Sequence, residues 1–156
     1  MEETKEENLK RTKVHRILAH SYVIFLILFL AGVYLDFLFK TTIFTNPIFM
    51  VLGIFLIGFA SLVILWAQYT SRNLKIDNLS KETFSKGPYL YTRHPTYFSL
   101  FILMFGFGIL ANAFFVILVT FISLLIMRFV FLEKEEEELT KKYGIHYLEY
   151  KKKVRL

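Results

Sequence analysis

Two short stretches of this chain carry side chains that could do chemistry. In the first, Gly87-Pro88-Tyr89 is followed by Arg93-His94-Pro95-Thr96-Tyr97. A turn dipeptide, a guanidinium, an imidazole and two phenols thus stand before an apolar run that Pro95 is suited to open as a helix. Such donors, joined by the unpaired N–H groups of a helix start, can hold a carboxylate or a phosphate. The plainer alternative makes Arg93 and His94 topology-setting charges and the tyrosines part of an interfacial aromatic belt.

The second stretch is Glu133-Lys134-Glu135-Glu136-Glu137-Glu138. Four adjacent glutamates repel one another, so a purely structural helix gains little from them. A carboxylate here could take the ammonium group of an amino-acid-like ligand. The alternative is a solvated face balanced by Lys134, Lys141 and Lys142 at helical spacings. Tyr143, Tyr147 and Tyr150 follow at intervals of four and three, one helical face, and packing against the bundle is the simpler reading of them. Arg128 either snorkels to headgroups or faces a polar cavity. Asp36, His15, His20 and His146 read as interfacial residues, with no metal-ligand spacing among the histidines. The chain has no cysteine, which removes thiolate nucleophiles, disulfides and thiolate metal sites. It has no serine–histidine–acid arrangement, Gly-rich phosphate loop or dinucleotide fingerprint.

The elements that must position these residues follow from where charge is missing. Of the 156 residues, 55% are hydrophobic and 21% charged, and the charges fall in blocks. None occurs from Ile17 to Leu35, from Thr41 to Ser71 or from His94 to Met127. A helix crossing a bilayer needs roughly 20 apolar residues, so the first two runs each predict one span and the third predicts two. Backbone groups in hydrocarbon must be satisfied within the segment, and no alternating pattern of a barrel is present, so the spans are helices. The first run, followed by Tyr34, Asp36 and Lys40, lacks the small-residue cleavage pattern of a signal peptide.

The expectation is an all-α integral membrane bundle of about four transmembrane helices, with a C-terminal cytoplasmic helix. Residues 1–156 form a single membrane domain. Helices 1 and 2 occupy residues 1–71, near Ile17–Phe39 and Ile48–Gln68. A functional core follows over 72–156, with a helical hairpin at 96–132 turning at Ala111-Asn112-Ala113. A charged helix from Glu133 to Tyr143 is broken or capped at Gly144. Lysine and arginine are concentrated before Arg16, between Arg72 and Arg93, and from Arg128 onward, whereas the first turn has only Lys40 and the hairpin tip has none. This asymmetry predicts that both termini and the central loop are cytoplasmic. The net charge of +6 suits anionic headgroups rather than nucleic acid, because the basic residues flank apolar spans.

Taken together, Gly87-Pro88-Tyr89, Arg93-His94-Pro95-Thr96-Tyr97, Glu135-Glu136, Leu139, Tyr143-Gly144, Tyr147, Tyr150 and Val154-Arg155 resemble the isoprenylcysteine carboxyl methyltransferase family and its phospholipid methyltransferase relatives. The resemblance covers roughly residues 72–156. Three positions depart from it. Ser99 stands for a glycine, Tyr143 for a phenylalanine, and Phe131 stands where the carboxyl methyltransferases carry a substrate-contacting arginine, the nearest here being Arg128. The resemblance implies S-adenosylmethionine as cofactor and a lipid-like or prenylated substrate. It implies a cofactor site of Lys81, Glu82, Thr83, Phe84, Tyr89, Arg93, His94, Pro95, Thr96, Tyr97, Glu135 and Glu136, with Glu135 and Arg128 in catalytic roles and no metal. O-methylation of an isoprenylcysteine-like carboxylate leads among the expected reactions, with N-methylation of an amine phospholipid next. Two other classes compete. One is a reductase-like relative, which would need a nicotinamide cofactor. The other is a four-helix transporter or structural protein, which the absence of Asp, Glu, Lys and Arg from the span centres disfavours.

Overall fold

The computed structural model describes residues 2–72 and 86–154. All regular structure among them is helical: α1 (Glu2–Phe39), α2 (Ile48–Arg72), a 3₁₀ turn (Gly87–Leu90), α3 (Pro95–Leu110), α4 (Phe114–Ile126), a π turn (Met127–Phe131), α5 (Leu132–Tyr143) and α6 (Ile145–Lys153). Three helical segments are long and apolar enough to cross a membrane: Ala19–Phe39, Ile48–Ser71 and Phe114–Tyr143. Leucine, isoleucine, valine and phenylalanine point outward along them; Phe55 and Leu62 are about two-thirds exposed. Such surfaces are stable against lipid and not against water, so the chain is a multi-pass membrane protein. The fourth apolar helix, Pro95–Leu110, is shorter. Its 16 residues span about 24 Å at 1.5 Å per residue, less than the roughly 30 Å hydrocarbon layer.

The helices pack in the spatial order α2, α3, α4, α1. Without a hydrophobic drive between helices in lipid, close approach depends on small residues. Gly53 of α2 and Gly106 of α3 face each other so closely that a Cβ on Gly53 would lie 2.7 Å from the Leu110 nitrogen. Gly32 does the same for α1 against α4, and Gly108 for the two arms of the hairpin.

One end of the bundle is fixed by two polar clasps. The Asp36 carboxylate of α1 accepts from the backbone N–H groups of Phe115 (3.0 Å) and Val116 (2.9 Å), the first turn of α4. Asn112, at the hairpin tip with φ of 54°, accepts from the N–H groups of Ile43 and Phe44 and donates to the Phe44 carbonyl, each at 2.8 Å. The hairpin tip and the first connection therefore lie at the same end, as the charge pattern required. Asp36 does more than the sequence indicated, since it caps a helix 80 positions away.

Candidate active site

At the opposite end the two polar stretches meet. The 3₁₀ turn is set by Gly87, whose φ of +58° suits glycine and whose Cβ would strike Thr70 Oγ1 at 2.5 Å. The turn is thereby held against the end of α2. Gly144, also at φ +58°, separates α5 from α6. The chain folds back there, and Tyr147 and Tyr150 of α6, with Val154 just after it, pack with Tyr89, Leu139 and Tyr143. The packing reading of the tyrosine series holds, although the series spans two helices rather than one. The Tyr150 hydroxyl donates to the Tyr89 carbonyl at 2.7 Å.

Inside this closure lies an ionic cluster. Arg93 forms an ion pair with Glu136. Lys151 of α6 reaches the other oxygen of that carboxylate at 2.5 Å. The His94 ring stands between the glutamates, with Nε2 3.3 Å from Glu136 Oε1 and Nδ1 3.5 Å from Glu135 Oε2. His94, Glu135 and Glu136 are all buried. Burial by itself pulls the His94 pKa down, but the two carboxylates outweigh it and the net shift is upward from 6.5. The imidazolium is thus favoured, with its Nε2–H donating to Glu136 and its Nδ1–H facing Glu135 at 3.5 Å without closing a hydrogen bond.

The adjacent glutamates differ in their surroundings. Glu136 is compensated by Arg93, Lys151 and His94. Among the described residues the ion pair of Glu135 is the 3.5 Å approach of His94 to Oε2, and that atom accepts no hydrogen bond although it is shut from solvent. A buried carboxylate oxygen without a donor carries a desolvation penalty of about 1–3 kcal/mol or more. Around it stand phenols: the Glu135 charge acts on Tyr22, Tyr89 and Tyr97. Tyr97, at 1% exposure, shares a 3.0 Å hydrogen bond with Ser21 of α1, which fastens α1 to the start of α3. The Tyr89 phenol is in hydrogen-bonding range of Thr96 and Ser71.

Of the residues expected at the site, Tyr89, Arg93, His94, Pro95, Thr96, Tyr97, Glu135 and Glu136 gather at this end of the bundle. Lys81, Glu82, Thr83 and Phe84 lie outside the described residues. Arg128 sits in the π turn and is exposed, and among the described residues no hydrogen bond or ion pair joins it to the cluster. Phe131 is buried. His20 bonds the Arg16 carbonyl of its own helix, and among the described residues no group of histidines and carboxylates could hold a metal. Three participants were missed. Lys151 is hidden in a run of three lysines, and Ser21 and Tyr22 belong to a helix whose sequence signals only a span.

Fold and cluster define a multi-pass helical membrane protein with a buried, acid-rich cluster at one end of its bundle. The phospholipid methyltransferase family model matches residues 48–146, well over half of the chain, and the chain belongs to that family. It is accordingly a membrane methyltransferase, of a family that generally draws its methyl group from S-adenosylmethionine. Comparison with curated proteins and with solved structures gives no significant match.

Proposed function

We propose that the protein transfers a methyl group from S-adenosylmethionine to the amine of a membrane phospholipid, at the end of the bundle where Glu135 is buried. The observation that carries this reading is the Glu135 carboxylate, with an oxygen that accepts no hydrogen bond and with phenols around it. The methionyl part of the donor bears an ammonium group and a sulfonium. An ammonium suits an acceptor oxygen that lacks a donor, and aromatic faces suit a sulfonium. The residues present therefore fit the group. When bound, S-adenosylmethionine supplies an electrophilic methyl group.

The remaining work falls to the chain. Arg93, Lys151 and His94 hold Glu136 and so fix the start of α5, which sets the position of Glu135 beside them. The Gly87 turn and α6 close over the cluster and exclude water, which strengthens every charge interaction inside. A primary or secondary amine must be unprotonated to attack. The low dielectric at the membrane edge lowers an ammonium pKa, so the bound amine sheds its proton more readily there than in water. In the transfer itself the nitrogen lone pair forms the new N–CH₃ bond as the S–CH₃ bond breaks. The methylated product leaves as an ammonium and the donor as a neutral thioether.

The isoprenylcysteine carboxylate, which leads on motif resemblance, is less well supported as acceptor. The observation against it is that buried Phe131 offers no cation to a carboxylate. Four spans with both termini, the central loop and this site on the cytoplasmic face remain part of the proposal, on the lysine and arginine distribution. The test is titration of S-adenosylhomocysteine into the purified protein and into Glu135→Gln. Labelled-methyl transfer is then followed with phosphatidylethanolamine and a prenylcysteine offered side by side. Weakened binding in the variant and label in the phospholipid are expected. Label in the prenylcysteine alone would reverse the acceptor, and unchanged binding in the variant would remove Glu135 from the site.

A further inference from the structure

Ser21 lies near the start of the first apolar span, Ala19–Phe39, and is completely buried. A hydroxyl taken from water into an apolar interior costs free energy unless it is hydrogen-bonded. The Tyr97 phenol meets it at 3.0 Å. That phenol is equally confined. Its ring is enclosed by Tyr22 and Phe25 of α1, each 6.3 Å away between centroids, and by His94 at 6.1 Å. Met127 and Leu100 pack on the same group. The ring has little room to move, and what stays free is the proton on its oxygen.

That proton has two places to go, and a phenol donates only once. One acceptor is the Ser21 oxygen. The other is the Glu135 carboxylate, close enough for its charge to act on the phenol. A hydrogen bond to a carboxylate is the stronger of the two kinds, so a phenol free to choose turns to Glu135. Yet Oε2 of Glu135 is buried and accepts no hydrogen bond. The phenol is engaged elsewhere, and the hydroxyl it meets is that of Ser21.

We propose that Ser21 is a positioning residue of the methyl-donor site: it accepts the Tyr97 proton and so withholds it from Glu135, keeping the carboxylate bare for the ammonium group of the donor. The inference rests on the reading of Glu135 as the ammonium site and adds what keeps that carboxylate open. Without the serine hydroxyl, the phenol donates to Glu135 and satisfies the empty site. An arriving ammonium then meets a carboxylate already stabilised and gains less from it. The loss falls on the amino group of the ligand, since a ligand without one makes no use of Glu135.

The test uses the full-length protein in lipid nanodiscs, native and as Ser21→Ala and Tyr97→Phe. Each is titrated with S-adenosylhomocysteine and with its des-amino analogue, in which hydrogen replaces the amino group. The readout is the ratio of the two affinities, which cancels any general loosening of the site. In the native protein S-adenosylhomocysteine should bind the more tightly. Ser21→Ala should cut the ratio about fivefold to tenfold, with the fall confined to S-adenosylhomocysteine. Tyr97→Phe has no proton to send either way, so its ratio should not fall, whatever its absolute affinities. A serine that merely fastens α1 to α3 gives a different pattern. Both variants break the same bond, so both ligands weaken together and neither ratio moves. An unchanged ratio in Ser21→Ala, or a ratio that falls as far in Tyr97→Phe, would overturn the positioning role while leaving the methyltransferase reading intact. Should Ser21→Ala fail to fold, a lowered ratio in Tyr97→Phe still overturns it. A native protein that binds the two ligands equally would remove Glu135 as the ammonium site and this role with it, and one that binds neither would remove the cofactor.

Discussion

The Tyr150 hydroxyl of α6 donates to the backbone carbonyl of Tyr89, 61 positions earlier, at 2.7 Å. Burial pushes the Tyr150 phenol upward, so it stays neutral and a donor at physiological pH. It is a direct hydrogen bond between the turn before α3 and the last helix. Tyr150→Phe removes it while keeping the ring, and leaves the Tyr89 carbonyl to find another donor. A loss of about 1 kcal/mol is expected, read as a lower unfolding temperature. Binding of S-adenosylhomocysteine should weaken only a few-fold, because the aromatic packing with Tyr147 persists.

The two neighbouring glutamates should fail differently. Glu136→Ala leaves Arg93, Lys151 and His94 close together without their shared anion. Removing one partner from a buried ionic group costs about 3–5 kcal/mol. The variant should be recovered in low yield and unfold early, with Lys151→Ala milder because that lysine is half exposed. Glu135→Gln removes a charge with little compensation, so stability should hold or rise. Its ligand affinity should fall by roughly ten- to a hundredfold, the worth of one hydrogen bond to a charged group at about 1.5–3 kcal/mol. Thermal unfolding and ligand titration on the same preparations separate the two. A Glu135→Gln protein as unstable as Glu136→Ala would mean that both carboxylates are structural.

Much of this was legible from the chain. The charge-free runs located the apolar helices, and Ala111-Asn112-Ala113 the hairpin tip, because hydrophobic length and turn residues are local properties. Gly87 and Gly144 were readable as breaks for the same reason. Arg93, His94, Glu135 and Glu136 stood out as charges beside spans. What the sequence did not carry is pairing across distance. Ser21 reads as one polar residue in an apolar helix, and nothing local says that it bonds Tyr97, 76 positions on. Lys151 differs from Lys152 and Lys153 only by its angle around α6. Asp36 reads as an interfacial charge because the helix start it caps belongs to another part of the chain. Nor does the sequence say which of two adjacent glutamates is compensated; that depends on what α6 brings back.

The His94 pair gives stability a pH dependence of definite sign. Its pKa is raised in the folded protein above 6.5, through Glu135 and Glu136 and against burial. The folded state therefore binds the proton more tightly than the unfolded state. The stabilisation is fully present below pH 6.5 and is lost as pH rises through the folded value. Unfolding temperature should fall across that window in the native protein. The fall should be smaller in His94→Gln, which cannot titrate. Glu136 is held low against burial by His94, Lys151 and Arg93 and stays ionised over the same range, so the difference between the two curves reads the imidazole. Parallel curves would mean that His94 is not coupled to the glutamates.

Gly87 offers a test of the turn that holds this end closed. Its φ of +58° already disfavours any side chain, and a Cβ would lie 2.5 Å from Thr70 Oγ1 and 3.2 Å from Trp66 Nε1. Gly87→Ala should cost about 1–3 kcal/mol for the backbone conformation alone. It should also push the turn off α2. Because Arg93 and His94 follow directly, ligand affinity should drop along with stability. Pairing it with Thr70→Ala relieves the closest contact but not the φ. Partial rescue of affinity by the second change would show that the contact matters as well as the backbone.

Asp36 provides the complementary case, a polar group essential to the fold and remote from the chemistry. Its two oxygens satisfy the N–H groups of Phe115 and Val116, at the start of an apolar helix that has no capping side chain of its own. A carboxylate there also meets the positive end of the helix dipole. Asp36→Ala should cost about 1–2 kcal/mol, and more where the freed N–H groups face lipid rather than water. Asp36→Asn keeps an acceptor oxygen but loses the charge and cannot serve both N–H groups equally, so it should fall between alanine and the native protein. Neither change should alter S-adenosylhomocysteine affinity in protein that remains folded, because the clasp lies at the far end of α1 and α4 from Glu135. A specific loss of affinity at full stability would mean that the two ends of the bundle are coupled, with α1 carrying strain from Asp36 to the Ser21–Tyr97 bond.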